Sequence, residues 1–231
     1  ITVREEGLTA GVRAGGGLGR VDAEVHGQLA EAVLRYILNS YGSAEMLRVG
    51  SCCKVWRKAA LSPSMWAVVR CGDDSVIDNE TLKWICSKAR GEMEVLDISV
   101  SVALSKELRG ELTLYQVVRG VQFNPGLQEL HLTGCCRYST YDLAEFGMVL
   151  QELKQLQALT LQACGLTGKA MQRLMSFLAC AEALEALSLA NNEGLGEQGA
   201  AVLCAALRVN ASLTSLDLRG CLVGKGGAED L

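Results

Sequence analysis

Short bursts of alternating apolar and polar residues recur along the second half of the chain. They read "MEVLDISVS" from Met93, "LQELHLTGC" from Leu127, "LQALTLQAC" from Leu156, "LEALSLANN" from Leu184 and "LTSLDLRGC" from Leu213. Their first positions lie 34, 29, 28 and 29 residues apart, so the pattern is a repeat and not a set of independent strands. Alternation with period two predicts a strand whose leucines face a core, followed by a turn at the ninth position.

Between the bursts the period changes to that of a helix. In "GKAMQRLMSFLACAEA", Met171, Leu174, Met175 and Leu178 fall on one face, and in "GAAVLCAALRVNAS" so do Leu203, Ala206 and Leu207. A strand and a returning helix leave one apolar side uncovered, so the units must stack on one another. The same register disposes of a tempting motif. "GLGEQG" from Gly194 to Gly199 is a literal G-x-G-x-x-G, yet Gly196 aligns with Gly224 and Gly199 with Gly227. These glycines therefore belong to a repeated strand-to-helix turn, and the acidic partner of a dinucleotide fingerprint is not evident.

This half of the chain resembles a leucine-rich repeat protein of the intracellular variety, in which a full helix follows every strand. The resemblance implies an α/β solenoid of short parallel strands with convex helices over residues 72–231, holding about five repeats with the last one incomplete. Cys135, Cys164, Asn192 and Cys221 share the ninth position, where a small polar side chain can satisfy backbone groups of the turn.

The first half is organised differently. Residues 1–21, with "AGGGLGR", have no apolar periodicity and are expected to form a flexible lead. From Asp22 the spacing of Val25, Leu29, Val33 or Leu34, and Ile37 predicts a helix, and Tyr41-Gly42-Ser43 ends it. Short helices are expected in "AEMLRVGSC" and "KVWRKAAL", and "SPSMW" restarts with Ser62 as a cap and Pro63 at the first helical position.

The order of residues in 22–71 resembles an F-box: Leu29, Ile37-Leu38, Glu45-Met46-Leu47-Arg48-Val49, Cys53-Lys54-Val55-Trp56-Arg57 and Pro63-Ser64-Met65-Trp66. Ala30 stands where that family usually has proline. The resemblance implies a small all-helical module with Trp56 and Trp66 as packing anchors. It also implies contact with the adaptor of an SCF-type ubiquitin ligase through Leu29, Ile37, Leu38, Met46 and Leu47, while the repeats bind a substrate protein. The alternative is a structural subunit of a larger assembly, in which these helices only cap the repeats.

Composition narrows the remaining options. Net charge is −4, split as +3 over residues 1–71 and −7 over 72–231, and no dense Lys/Arg stripe marks a nucleic-acid interface. No apolar run is long enough to span a bilayer, for which about 20 residues are needed. The ten cysteines include no C-x-x-C, and His26 and His131 are far apart. Metal ligation and a cofactor are therefore not expected, and the thiols read as free groups in an intracellular reducing compartment, cytoplasmic or nuclear, with an organelle as the alternative.

If the repeats stack, the polar residues between strand leucines line the concave face. One row is Asp97, His131, Thr160, Ser188 and Asp217, and beside it run Ser99, Thr133, Gln162, Ala190 and Arg219. Asp97, His131 and Thr160 on successive strands have the residue types of a catalytic row. A parallel comb holds such side chains about 4.8 Å apart without an oxyanion hole, so the expected role is partner binding and not catalysis.

Overall fold

The computed structural model describes residues 29, 32–34, 53–71, 79–99, 114–134 and 140–230. The expected lead at 1–21, the adaptor candidates Ile37, Leu38, Met46 and Leu47, and Cys135 lie outside the described residues.

Among the described residues the chain begins with helical positions at Leu29 and 32–34, then α1 (Lys54–Ala60) and a 3-10 turn (Pro63–Trp66). Strands and helices then alternate: β1 (Val68–Cys71), α2 (Asn79–Ala89), β2 (Val95–Ser99), α3 (Leu114–Val121), β3 (Glu129–Thr133), α4 (Thr140–Glu152) and β4 (Ala158–Thr160). The series continues through α5 (Gly168–Cys180), β5 (Ala186–Ser188), a 3-10 turn (Glu193–Leu195), α6 (Gly196–Leu207), β6 (Ser215–Asp217) and α7 (Gly224–Asp230).

The strands form a six-stranded parallel sheet in chain order, β1-β2-β3-β4-β5-β6. Consecutive helices pack on each other in the same order, from α2 against α3 to α6 against α7. This is the architecture the repeat spacing demands: each helix is a crossover that returns the chain to the next parallel strand. β1 was not foreseen. It comes from the last four residues of the segment read as the helical module, and Val68 and Arg70 pair with Val95 and Asp97.

The alternation in the repeats fixes which way side chains go. Leu96, Ile98, Leu130, Leu132, Leu159, Leu161, Leu187 and Leu189 are buried against the helices. Each fully buried leucine contributes about 1.5–3 kcal/mol relative to exposure. On α5 the buried face is Met171, Leu174, Phe177 and Leu178. Met175, expected on that face, is exposed, and Phe177 is buried instead, in the cluster that also holds Leu150 and Leu156. Thr167 caps this helix by accepting from the Ala170 amide at 3.3 Å.

The turn after each strand has two conserved tasks within the array. At the eighth position the backbone is left-handed, with φ of +67 at Gly134, +53 at Ala163, +59 at Asn191 and +71 at Gly220. At the ninth position the side chain donates to the carbonyl that ends the previous strand's leucine pair. Cys164 Sγ donates to Leu132 O at 3.1 Å, Asn192 Nδ2 to Leu161 O at 2.8 Å, and Cys221 Sγ to Leu189 O at 3.0 Å. The small ninth residue is thus a bridge between repeats. Gly196 opens α6 with φ +54, and Gly224 opens α7 with φ +70, so the glycines of "GLGEQG" serve the repeated turn. Gly199 packs directly on Leu195, where a Cβ would not fit.

The segment before the sheet shares its core. Ala59, Ala60, Met65 and Trp66 are buried in one cluster with Leu82, Ile85 and Leu96. Trp66 is fully buried, donates from its indole nitrogen to Ala60 O at 2.9 Å, and meets Trp84 of α2 edge-on with ring centroids 5.1 Å apart. Trp56 is half-buried against the same cluster. Pro63 sits at the start of its turn as expected, while the Ser62 hydroxyl bonds Ser64 Oγ and caps no backbone amide.

Candidate functional site

With leucines on the helix side, the other face of each strand carries every second residue. Register aligns Arg70, Asp97, His131, Thr160, Ser188 and Asp217 in one row across all six strands. At about 4.8 Å per strand the row is about 24 Å long. Asp97, His131, Thr160, Ser188 and Asp217 are each half-buried, as are Ser99, Thr133 and Gln162 beside them. Arg219 is exposed, and Ala190 is buried and offers no contact surface.

Two clusters are pre-oriented within this face. His131 Nδ1 lies 2.9 Å from Thr160 Oγ1, and its Nε2 lies 3.4 Å from Glu129 Oε2. Glu129 stands two residues before His131 on the same strand, so period two brings it to the same face. At the other end, Arg219 grips Asp217 through Nε at 2.9 Å and Nη2 at 2.8 Å, and its backbone amide also donates at 3.1 Å. These donors hold the Asp217 carboxyl down at about 2. The Ser188 hydroxyl also donates to Asp217, at 3.5 Å.

The suggested catalytic row of Asp97, His131 and Thr160 is only half assembled. His131 and Thr160 are hydrogen-bonded, but Asp97 engages Ser99, and the carboxylate beside His131 is Glu129. Among the described residues the backbone amides along the strands are engaged in the ladder, and no pair of donors is aimed at a developing oxyanion. The geometry suits recognition of polar groups held against the sheet.

Two of the thiols are held in the protonated form. Burial raises Cys86 to about 12 and also pushes Cys221 up, so both stay protonated. Among the described residues no group of three or more His, Cys, Asp or Glu side chains could hold a metal, and no helix is long and apolar enough to cross a membrane. Of the adaptor candidates, Leu29 is described: it is helical and 61% exposed.

Sequence reasoning missed Arg70 and Glu129. "VVRC" lacks the leucine spacing that reveals the other strands, and Glu129 sits one pair of positions before the row that was considered.

No family model matches the chain. It is similar to the mouse (Mus musculus) "NACHT, LRR and PYD domains-containing protein 12", 36% identical over 105 residues, which is 43% of this chain and 9% of that protein. It is also similar to the Bos taurus "NACHT, LRR and PYD domains-containing protein 5", 29% identical over 159 residues, or 68% of this chain and 14% of that protein. The chain therefore spans a small part of the curated relatives it matches. Among solved structures, "Leiomodin-1 Actin-Binding Site 2 (ABS2)" superposes with a TM-score of 0.52 at 16% identity, covering 68% of this chain and 86% of that one. That likeness is one of fold. Together with the observed sheet, the distant relatives support a repeat region of the leucine-rich type. The F-box resemblance rests on the sequence alone.

Proposed function

We propose that the chain is a non-enzymatic protein-interaction subunit: a leucine-rich repeat solenoid whose open sheet face docks a segment of a partner protein. The observation that carries this reading is the continuous polar row from Arg70 to Asp217, on the face opposite the buried leucines and fixed in register on all six strands among the described residues. Asp97, His131, Thr133, Thr160, Gln162, Ser188, Asp217 and Arg219 are the contact residues of this reading. Half-buried hydroxyl, imidazole and carboxylate groups suit hydrogen bonds to an extended segment lying across the strands, and few large aromatics stand on this face to anchor a bulky partner.

The test is affinity capture with the wild-type chain beside a Thr160→Arg/Ser188→Arg variant. Two long cations in mid-row block a docked segment while leaving the leucine side untouched. Proteins retained by the wild type and lost with the variant are the expected result. Identical capture by both chains sinks the reading.

A second reading, a substrate receptor of an SCF-type ubiquitin ligase, is favoured by the ordered run from Cys53-Lys54-Val55-Trp56-Arg57 to Pro63-Ser64-Met65-Trp66 and by the exposure of Leu29. In it the adaptor takes Leu29, Ile37, Leu38, Met46 and Leu47, and the repeats take the substrate. Pull-down with adaptor and cullin, beside Leu29→Arg and Leu47→Arg controls, separates it from the alternative in which the helices only cap the repeats. Adaptor binding lost in both controls supports the receptor; no binding by any form leaves the scaffold role.

A further inference from the structure

A second candidate surface lies on the opposite side of the molecule. Helices α2 and α3 leave between them an open cleft of about 380 Å³. Its walls come from stripes at helical spacing: Lys83 and Ser87 on α2, and Tyr115, Arg119 and Phe123 on and just beyond α3. The floor is made where the helices touch. A Cβ on Gly120 would stand 2.7 Å from Cys86 Sγ, so the absence of a side chain there brings the two helices together and opens the groove above them.

The lining has a distinctive chemistry. Phe123 is 67% exposed and Tyr115 40%, an unusual outlay for a chain with 5% aromatic residues. Lys83 and Arg119 are exposed cations, and neither has an ion-pair partner among the described residues. Among the described residues no carboxylate lines the cleft, although residues 72–231 carry an excess of seven acidic groups. An apolar ledge flanked by two uncompensated cations, on an otherwise acidic body, is complementary to a segment bearing carboxylates around an apolar side chain.

We infer that the α2–α3 groove docks a short acidic segment of a partner protein, with an aromatic or aliphatic side chain against Phe123 and Tyr115 and carboxylates on Lys83 and Arg119. Eight residues separate Tyr115 from Phe123, which along a helix is about 12 Å, the reach of about four extended residues. The volume accommodates two or three side chains and not a folded domain. The site is independent of the sheet-face reading, since it lies across the core from it and shares no residue with it.

The test uses the full chain and a fluorescein-labelled peptide array: decamers with one central Phe and Asp or Glu at varied flanking positions, beside the same array with Lys and Arg in place of the acids. The expected result is selection of acidic over charge-inverted peptides by about tenfold at low salt, weakening as exposed charges are screened. In Lys83→Glu/Arg119→Glu that preference should reverse, and Phe123→Ser should lower affinity for every acidic peptide. A sheet-face variant, Thr160→Arg/Ser188→Arg, should bind as the wild type does, which keeps failure of one surface distinct from failure of the other. Thermal melts of each variant check folding, and Lys83→Gln/Arg119→Gln replaces the reversal should it not fold. Equal binding of both arrays, or an acidic preference that survives loss of both cations, overturns the inference. So does a wild-type dimer that Phe123→Ser dissociates while no acidic peptide is selected, because the groove then holds a second copy.

Discussion

Asn192 gives the sharpest quantitative test of how the repeats are joined. It is fully buried, and its amide donates to Leu161 O at 2.8 Å and Leu189 O at 2.6 Å while its oxygen accepts from the Leu166 amide at 2.9 Å. Asn192→Ala removes all three bonds. Leu189 O retains Cys221 Sγ at 3.0 Å, so two buried backbone groups, Leu161 O and Leu166 N–H, lose this partner. At about 1–3 kcal/mol for each of the two buried groups left unsatisfied, the expected cost is about 2–6 kcal/mol. Asn192→Cys should cost only about half of that, because a thiol there can donate to Leu161 O as Cys164 does to Leu132 O, leaving the Leu166 amide alone unpaired. Urea denaturation followed by far-ultraviolet circular dichroism gives the two stabilities, and hydrogen exchange at the Leu166 amide gives the local effect. Exchange should rise in both variants, whereas stability should fall much further in Asn192→Ala. Equal stabilities for the two variants, or a loss below about 1 kcal/mol for alanine, would refute the bridge.

Three further outcomes follow from the same geometry. The Asp217 carboxyl should titrate near 2 by carbon NMR and move up toward 3.8 in Arg219→Ala; with a lowered folded value, its contribution to stability is present above the unfolded value and is lost as pH falls from about 4 to about 2. Gly120→Ala should destabilise the fold by about 1–3 kcal/mol in a urea melt, and much of that should return in Gly120→Ala/Cys86→Ala, because the thiol is what the new methyl meets. Trp66→Ala should cost about 3–5 kcal/mol. Trp66→Phe should cost less than alanine but still lose the bond to Ala60 O and the edge contact with Trp84, measurable as a lower denaturation midpoint.

The parts of the fold that were legible in sequence are those where one residue type repeats at a fixed interval. Leu130, Leu159 and Leu187 announce their strands because each stands three residues after one leucine and two before another, and the ladder then follows from stacking. The strand at Val68–Cys71 was hidden because its apolar residues are valines without the leucine spacing, and its membership in the sheet is decided by pairing with β2. Met175 and Phe177 could not be ranked from periodicity, since a helix of this apolar content presents two overlapping faces and only the neighbouring helix selects one. The asparagines that end two of the helices were equally silent. Asn124 donates to Gly120 O at 3.1 Å and accepts from the Gly91 amide after the preceding helix at 3.1 Å, while Asn210 donates to Leu178 O at 2.8 Å and accepts from the Leu213 amide at 2.9 Å. In sequence they look like ordinary loop residues, Asn124 before a proline and Asn210 two residues before a serine.

The candidate site divides along the same line. Period two alone placed Asp97, His131, Thr160, Ser188 and Asp217 in one row, because a parallel ladder in register leaves no freedom about which strand positions align. Which of them would interact was not determined by that rule. His131 turns to Thr160 on the next strand and to Glu129 on its own, whereas Asp97 turns to Ser99. Such choices depend on side-chain reach and on the chemistry of diagonal neighbours, not on the repeat. The α2–α3 groove lies beyond the repeat rule altogether, since Tyr115 and Arg119 belong to a helix, and Phe123 to the turn after it, whose sequence matches no other copy. A solenoid of this kind therefore states its scaffold openly and its specificity only where individual residues break the pattern. The places to look for partners are those breaks: the charged and imidazole groups on a face otherwise lined by small residues, and exposed aromatics between two cations on a helix pair.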